Sequence, residues 1–334
     1  MNFDLEEAQH EFADAARKFY EENVSSQQAR ALLDETGEAA PGLKLLAELG
    51  FYGVTVPESA GGIDQSVLDL VVIAEQGGRV LAGPSLITAA RAAVLLEGQP
   101  DRLAALADGS TAFAVLDGSA EWSAPSIDAQ HATDFIAMDG DSLIVGTGEV
   151  AAGEPIDATR GLATVRLTSR EVLRTEATDL WQRARDVAMV VLAAEGLGTA
   201  GRAVELAVEY ARMREAFGRP IGSYQAVKHR LVDAWVGIDQ LRSLVWWAAT
   251  AADSAPGDLA LAASAAKAYS ARVLEDAAET LVQVCGGIGF TWEHDAHLYW
   301  RRAKVDRMLL GTESEHLDRV ARLSLDGPAS RIAR

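Results

Sequence analysis

Residues 194–237 read as two helices forced apart by a short break, and no other stretch of the chain limits its fold so tightly. Leu197, Ala200, Val204, Ala207, Val208 and Ala211 recur at helical spacing before the break, and Val227, Leu231 and Ala234 after it. Between them runs Arg214-Glu215-Ala216-Phe217-Gly218-Arg219-Pro220-Ile221-Gly222, where Gly218, Pro220 and Gly222 stop a helix and make a rigid connection. Two readings of the corner stand side by side. In one it is an ordinary αα-hairpin whose Arg214 pairs with a nearby carboxylate and whose Phe217 joins the core. In the other, Arg214, Phe217 and Gln225 present a cation, a ring and an amide to something anionic and planar.

The 334 residues are 49% hydrophobic, enough for a large core and two or three packed units. Abundant alanine with few aromatic residues suits packed helices. The 49 acidic against 30 basic residues give a net charge of −19, a surface that repels nucleic acid and anionic membranes. A local basic pocket remains compatible with a phosphate. The single cysteine, Cys285, excludes an intrachain disulfide and a cysteine-based metal cluster, and between Val284 and Gly286 it reads as small and buried. No signal peptide or long apolar span stands out, so a soluble cytoplasmic protein is expected.

In chain order, Asp4 and Glu7 suggest a capping box before a helix carrying Phe12, Ala15, Ala16 and Phe19. A second helix carries Leu43, Leu45, Leu46 and Leu49 and stops at Gly50. After Val56-Pro57-Glu58-Ser59-Ala60-Gly61-Gly62, helices over 64–81 and 85–97 complete a helical unit, 1–108. Segments 111–117, 133–138, 142–147 and 162–168 are short, alternating or β-branched, with Asp139-Gly140-Asp141 as a hairpin signal. They predict a small β-unit, 109–178. Helices return over 179–212, 223–252, 257–285 and 294–323 in a unit spanning 179–334, with a loose tail after Gly327-Pro328.

Three motifs in order resemble the acyl-CoA dehydrogenase family: the Val56–Gly62 loop, the RxAFGxPIGxxQ corner, and Gln283-Val284-Cys285-Gly286-Gly287-Ile288-Gly289-Phe290 followed by Arg301-Arg302-Ala303-Lys304 and Leu310-Gly311-Thr312. The resemblance implies an α+β architecture: an N-terminal helical domain, a small middle β-domain and a C-terminal four-helix bundle. It also implies FAD and the oxidation of an acyl-CoA between Cα and Cβ, with a glutamate taking the α-proton and electrons leaving to an electron-transfer flavoprotein. By the same resemblance the C-terminal domain grips the adenosine and pyrophosphate end of a neighbouring subunit's FAD. Arg214 then pairs with the pyrophosphate, Phe217 packs against the cofactor and Gln225 hydrogen-bonds it. Gln283, Gly286 and Gly287 let backbone approach the adenosine half; the competing reading of the two glycines is a helix C-cap.

The sequence departs from the family where the proton is taken. The place before Gly-Thr is Leu310, the alternative early in the first C-terminal helix is Ala188, and the arginine many members carry next to it is Met189. No catalytic residue is therefore assigned to this chain. Asp186 matches a substrate-side aspartate but also suits a helix start. Glu195 is read as a partner in an interhelix ion pair, Glu313 and Glu315 as flanking the last helix, and Glu293 is left unassigned. His294 and His297 beside Asp295 are read as a solvated turn, so no metal site is assigned. In place of the family's TExxxGSD-like run and WI(S/T) strand, the β-unit reads FAVLDGSAEWSAPSIDAQ, so a full flavin cradle within the chain is not expected.

Both losses resemble the heterotetrameric acyl-CoA dehydrogenases of actinobacterial steroid breakdown, in which two related chains pair around a shared FAD in an α2β2 assembly. One subunit of that type, acting on a steroid-CoA thioester, is the leading expectation. The alternatives are a homomeric dehydrogenase with a relocated base such as Glu195, and a non-catalytic helical scaffold.

Overall fold

Short helices with one apolar face build the first part of the chain: α1 (Glu7–Asn23), α2 (Ser26–Leu33), α3 (Leu43–Glu48), α4 (Val67–Arg79), α5 (Leu86–Leu95) and α6 (Pro100–Ala107). The structure is a computed structural model and describes residues 5–34, 38, 40–118 and 122–325. The expected cap of α1 is displaced. Asp4 lies outside the described residues, and it is the Gln9 carboxamide that accepts from the Glu6 N–H at 2.8 Å. α2 and α6 span two turns each, too short for their periodicity to stand out. At α4 the Ser66 hydroxyl accepts from the Asp69 N–H (3.1 Å) while the Asp69 carboxylate accepts from the Ser66 N–H (3.0 Å).

Among the described residues six strands follow: β1 (Phe113–Val115), β2 (Asp134–Asp139), β3 (Ser142–Gly146), β4 (Gly148–Ala152), β5 (Ala163–Leu167) and β6 (Glu171–Arg174). One sheet runs β1-β2-β3-β6, with β1 parallel to β2 and the other pairs antiparallel; β4 and β5 form a separate antiparallel ribbon. Asp139 pairs with Ser142, which makes Gly140-Asp141 the expected tight hairpin. The period of two sorts side chains to opposite faces. Ala114, Phe135, Ala137 and Ile144 enter a small core with Val165, while Phe113, Val115, Ile136, Leu143 and Val145 enter the main core. β4 and β6 have mostly exposed side chains, so their sequences carry little apolar alternation.

The rest is α7 (Thr178–Met213), β7 (Glu215–Ala216), β8 (Arg219–Pro220), α8 (Gln225–Ser254), α9 (Pro256–Cys285), α10 (Ala296–Asp306) and α11 (Glu313–Leu325). α7 packs against α4, α5, α8, α9 and α10 and is the axis of the fold. Among the described residues it is the one helix long and apolar enough to cross a membrane, and its apolar stretch is buried inside the fold. It crosses α4 closely. A Cβ on Gly78 would stand 2.0 Å from the Glu195 carbonyl oxygen, and one on Gly198 would stand 1.8 Å from that of Glu75. The single helix expected over 294–323 is instead two, broken after α10 where Leu310 (φ +57°) and Gly311 (φ +103°) turn left-handed. The expected tail after Gly327 lies outside the described residues.

Candidate functional site

The corner after α7 is neither a plain αα-hairpin nor a core contact. β7 and β8 pair antiparallel, Ala216 opposite Arg219, so Phe217-Gly218 is a two-residue turn. Both turn residues have positive φ, +53° and +78°, as a type I′ turn requires. A phenylalanine there is costly, since the left-handed region crowds its Cβ, yet the ring is 98% exposed. The hairpin is stiffened from behind: the Tyr224 hydroxyl donates to the Ala216 carbonyl (3.0 Å), and the Arg219 guanidinium lies 4.1 Å from the Tyr224 ring centroid. Arg214 ends α7, is exposed and has no carboxylate partner among the described residues. The pairing and core roles of the first reading are thereby overturned for both residues.

α8 and α9 pack together and are joined by Ala255 alone, so they run antiparallel. Their equal lengths bring the start of α8 and the end of α9 to one end of the bundle. Gln225 is the first residue of α8, Gln283 lies in the last turn of α9, and both are exposed. Gly286 ends α9 with φ +63° and ψ −139°, a conformation open essentially to glycine alone, so the C-cap reading holds for it. Gly287 is different. Its φ is not positive, and a Cβ added there meets nothing within 4 Å. Nothing in this chain's own packing requires a glycine at 287, which suits a surface that another molecule approaches closely. Arg214, Phe217, Gln225, Gln283, Gly286 and Gly287 are thus all exposed, with a cation, a ring, two amides and bare backbone among them. That donor set fits an anionic, planar dinucleotide such as FAD.

The inner cleft is the opposite. Leu309 and Leu310 face Thr88, Arg91, Asp117 and Ile127 across a cavity of about 40 Å³, against roughly 300–1,000 Å³ for ordinary ligand pockets. Arg91 closes it with a two-pronged pair to Asp117 (2.7 Å each) and stacks 4.5 Å from the Trp181 ring centroid. Ala188 and Met189 are fully buried on α7. No carboxylate stands at either place the motif comparison points to.

The remaining acids have other partners. Glu195 accepts from the Ser85 hydroxyl (2.8 Å) and from Arg160 Nη1 (2.5 Å), the ion-pair role expected of it. Arg160 also forks onto Asp306 at 2.8 and 2.6 Å. Arg302 donates to Asp157 and to the Thr159 hydroxyl, both at 2.5 Å. Both arginines are fully buried, and Lys267 donates to the Asp306 carbonyl at 3.1 Å. Asp128 accepts from the Ser85 N–H (3.1 Å) and the Thr88 hydroxyl (2.6 Å), and burial pushes its carboxyl up to about 7 against those hydrogen bonds. Asp186 is held by Arg319 at 2.5 and 2.9 Å. Glu315 accepts from the Thr312 N–H at 2.7 Å, and Glu313 opens α11, as expected of both. Among the described residues no cluster of His, Cys, Asp and Glu could hold a metal, and His294 Nδ1 accepts from the Ala296 N–H at 3.1 Å. Cys285 is buried, with its thiol pushed up to about 11 by that burial. Of the network around Arg160, sequence reasoning anticipated only Glu195 as an ion-pair partner, because an arginine ahead of a strand carries no local signal; Arg302 was quoted only as part of a motif.

Comparison with known proteins bears on the fold and the family. Residues 6–98 match the model of the acyl-CoA dehydrogenase N-terminal domain, and residues 181–325 that of the acyl-CoA dehydrogenase C-terminal domain. The chain is 37% identical over 305 residues to acyl-CoA dehydrogenase FadE34 of Mycobacterium tuberculosis, covering 86% of this chain but only 42% of that relative. It is 33% identical over 307 residues to acyl-CoA dehydrogenase IpdE2 of Mycolicibacterium smegmatis, covering 90% of this chain and 93% of the relative. A solved structure described as the Tcur3481-Tcur3483 steroid ACAD, G363A variant, superposes with a TM-score of 0.85 at 27% identity, over 96% of this chain and 98% of that one.

Proposed function

This chain belongs to the acyl-CoA dehydrogenase family, and from that premise we propose that it is one subunit of an α2β2 heteromer built with a homologous chain. The assembly introduces a Cα=Cβ double bond into an acyl-CoA thioester, a steroid-degradation intermediate, and passes electrons to an electron-transfer flavoprotein in the cytoplasm. Within the chain we read three units, 1–108, 109–178 and 179–334. The observation that supports the shared site is Phe217, a ring held 98% exposed on a strained turn, with nothing of its own chain to cover it.

In this reading FAD, when bound, supplies the acceptor for the hydride leaving Cβ. Arg214 offers its planar fork to the pyrophosphate and Phe217 shields the cofactor from water. Gln225 and Gln283 supply amide hydrogen bonds, and the backbone at Gly286 and Gly287 allows close approach to the adenosine half. The proton at Cα needs a carboxylate within hydrogen-bond reach. Leu310 and Ala188 offer none, and both oxygens of Glu195 are engaged, which disfavours the relocated-base alternative. The partner chain therefore supplies the glutamate. FadE34, whose matched part is less than half its length, has room for a second such unit in the same polypeptide.

Expression of the chain alone and with candidate partners, followed by a flavin absorbance scan, tests the reading. The expected outcome is a colourless or unstable single chain and about one FAD per assembled pair. A stable yellow homotetramer with one FAD per chain overturns it.

A further inference from the structure

The loop between α10 and α11 is gripped by its backbone, from two directions at once. The Leu310 carbonyl accepts from Arg185 Nη2 on α7 and from His316 Nε2 on α11, both at 2.8 Å, so both of its lone pairs are used. The fit is tight: a Cβ on Gly311 would stand 2.8 Å from His316 Nε2 and 3.1 Å from Arg185 Nη2. Lys267, on α9, donates to the Asp306 and Arg307 carbonyls at 3.1 and 3.4 Å where the loop begins. The grip holds Leu309 and Leu310 against the inner cleft and leaves it at about 40 Å³. Leu310 sits at φ +57°, a left-handed conformation that is costly for leucine, so the loop relaxes away from it once the grip is lost.

A carbonyl can only accept, so the proton of neutral His316 sits on Nε2 and its lone pair on Nδ1. His316 is 2% exposed, and Nδ1 is shut off from solvent with no hydrogen-bond partner among the described residues. A second proton lands there, making a buried cation whose new N–H has no acceptor. The surroundings oppose it. Arg185 on α7, Lys267 on α9 and Arg319 on α11 all push against a further positive charge. Asp186, on α7, has both oxygens taken by Arg319, at 2.5 and 2.9 Å. Glu315 is exposed and spends Oε2 on the Thr312 N–H and hydroxyl at 2.7 and 2.9 Å, while Glu313 and Arg307 bear on Lys267. Burial first, then the charges of Lys267, Arg185 and Arg319, hold the imidazole below its ordinary value of 6.5, against the Leu310 hydrogen bond, which pulls the other way.

We propose that His316 is a proton-operated latch: neutral, it clamps the Leu310 carbonyl and keeps the chain's own cleft shut, and protonated, it lets the loop between α10 and α11 go. The sign follows from linkage. A released His316 takes up its second proton near 6.5, the clamped one only at lower pH. The clamp is therefore at full strength above about 6.5 and weakens as the pH falls below it. The latch is built from this chain's own packing and stands whether or not the chain shares a flavin.

Hydrogen exchange of the full chain, or of the assembled pair where the chain alone is not isolable, is followed by mass spectrometry. It is read as protection factors, which remove the intrinsic pH dependence of exchange. Between about pH 7.5 and about pH 5.5, protection of a peptide spanning 307–312 should fall by up to about 10-fold, the limit set by an ordinary imidazole in the open state. Peptides from the middle of α7 should not follow it. Lys267, pulled down to about 8, is largely charged throughout, and Asp128 titrates with the opposite sign. His316→Gln keeps an N–H donor for the Leu310 carbonyl and cannot titrate, so its protection should not change with pH. His316→Phe removes the donor, so the peptide should be exposed at both pH values. Either variant alone suffices. Constant protection in the parent, the same fall in His316→Gln as in the parent, full protection in His316→Phe, or a fall shared equally by α7 overturns the proposal.

Discussion

Replacing Phe217 with asparagine should move two measurements in opposite directions. The residue sits first in a type I′ turn at φ +53°, followed by Gly218 at +78°. Holding an ordinary side chain in that region costs ~1–2 kcal/mol, and Asn-Gly is the pair such a turn prefers. Because the ring is 98% exposed, its removal forfeits almost no burial within the chain. The isolated chain should therefore gain ~1 kcal/mol, a rise in Tm of roughly 2 °C for a protein of this size. If the ring is covered in the assembly, full burial of a phenylalanine is worth ~1.5–3 kcal/mol. FAD should then be held roughly 10- to 150-fold more weakly. Thermal melts followed by circular dichroism read the first effect, and flavin released on ultrafiltration of the pair reads the second. A fall in Tm would show that the ring packs within its own chain. Unchanged flavin retention would show that it does not meet the cofactor.

Arg214→Ala should lower FAD retention by the ~1.5–3 kcal/mol typical of hydrogen bonds to charged groups, with Arg214→Lys recovering it only partly; full flavin occupancy in the alanine variant counts against the assignment. Glu293→Gln, Glu313→Gln and Glu315→Gln should each leave turnover of the assembled enzyme appreciable, because losing a general base costs ~10²–10⁴ in rate; abolition with normal assembly and flavin content would place the base in this chain. Glu195→Gln should act on stability instead, since breaking a buried ion pair costs ~3–5 kcal/mol, read as a lower urea midpoint. Asp128 has its carboxyl raised from 3.8 to about 7 by burial, with Glu195 adding to the rise and Arg160 opposing it. The folded state then holds the proton longer than the unfolded one, so this group's contribution falls as pH climbs from about 4 to 7 and is flat above. The full span is on the order of 4 kcal/mol, and Asp128→Asn should remove that slope from urea unfolding curves; parallel pH profiles in variant and parent would refute it.

The long helices were legible because α7, α8 and α9 repeat their apolar positions over many turns, and the Gly140 turn and Gly50 stop carry local chemistry. α2 and α6 were not, being two turns long, nor were β4 and β6, whose exposed side chains leave no alternation to read. The break at Leu310 escaped because leucine gives no hint of a left-handed backbone. At the corner, motif spacing singled out Arg214, Phe217 and Gln225, and all three are exposed. Periodicity could not say that the corner between the helices is a miniature β-hairpin, since pairing of two-residue strands leaves no pattern. The Arg160 network depends on residues 157–160, 195 and 302–306 meeting in space, and separations of that size are invisible to any local window.

That network also bears on the order in which the chain can close during synthesis. Arg160 is fully buried and forks onto Asp306, almost 150 residues later in the chain. Until residue 306 has left the ribosome, docking the 157–160 turn onto α7 would enclose Arg160 with Glu195 and Asp157 nearby but with no acceptor for its Nε and Nη2. Leaving buried donors without acceptors costs ~1–3 kcal/mol each, so the turn should stay open and hydrated while the earlier helices pack. A nascent chain stalled or cut before α10 would keep this seam unsealed and its apolar lining accessible to proteases. The seam thus gains the two hydrogen bonds from Arg160 Nε and Nη2 only once Asp306 is in place.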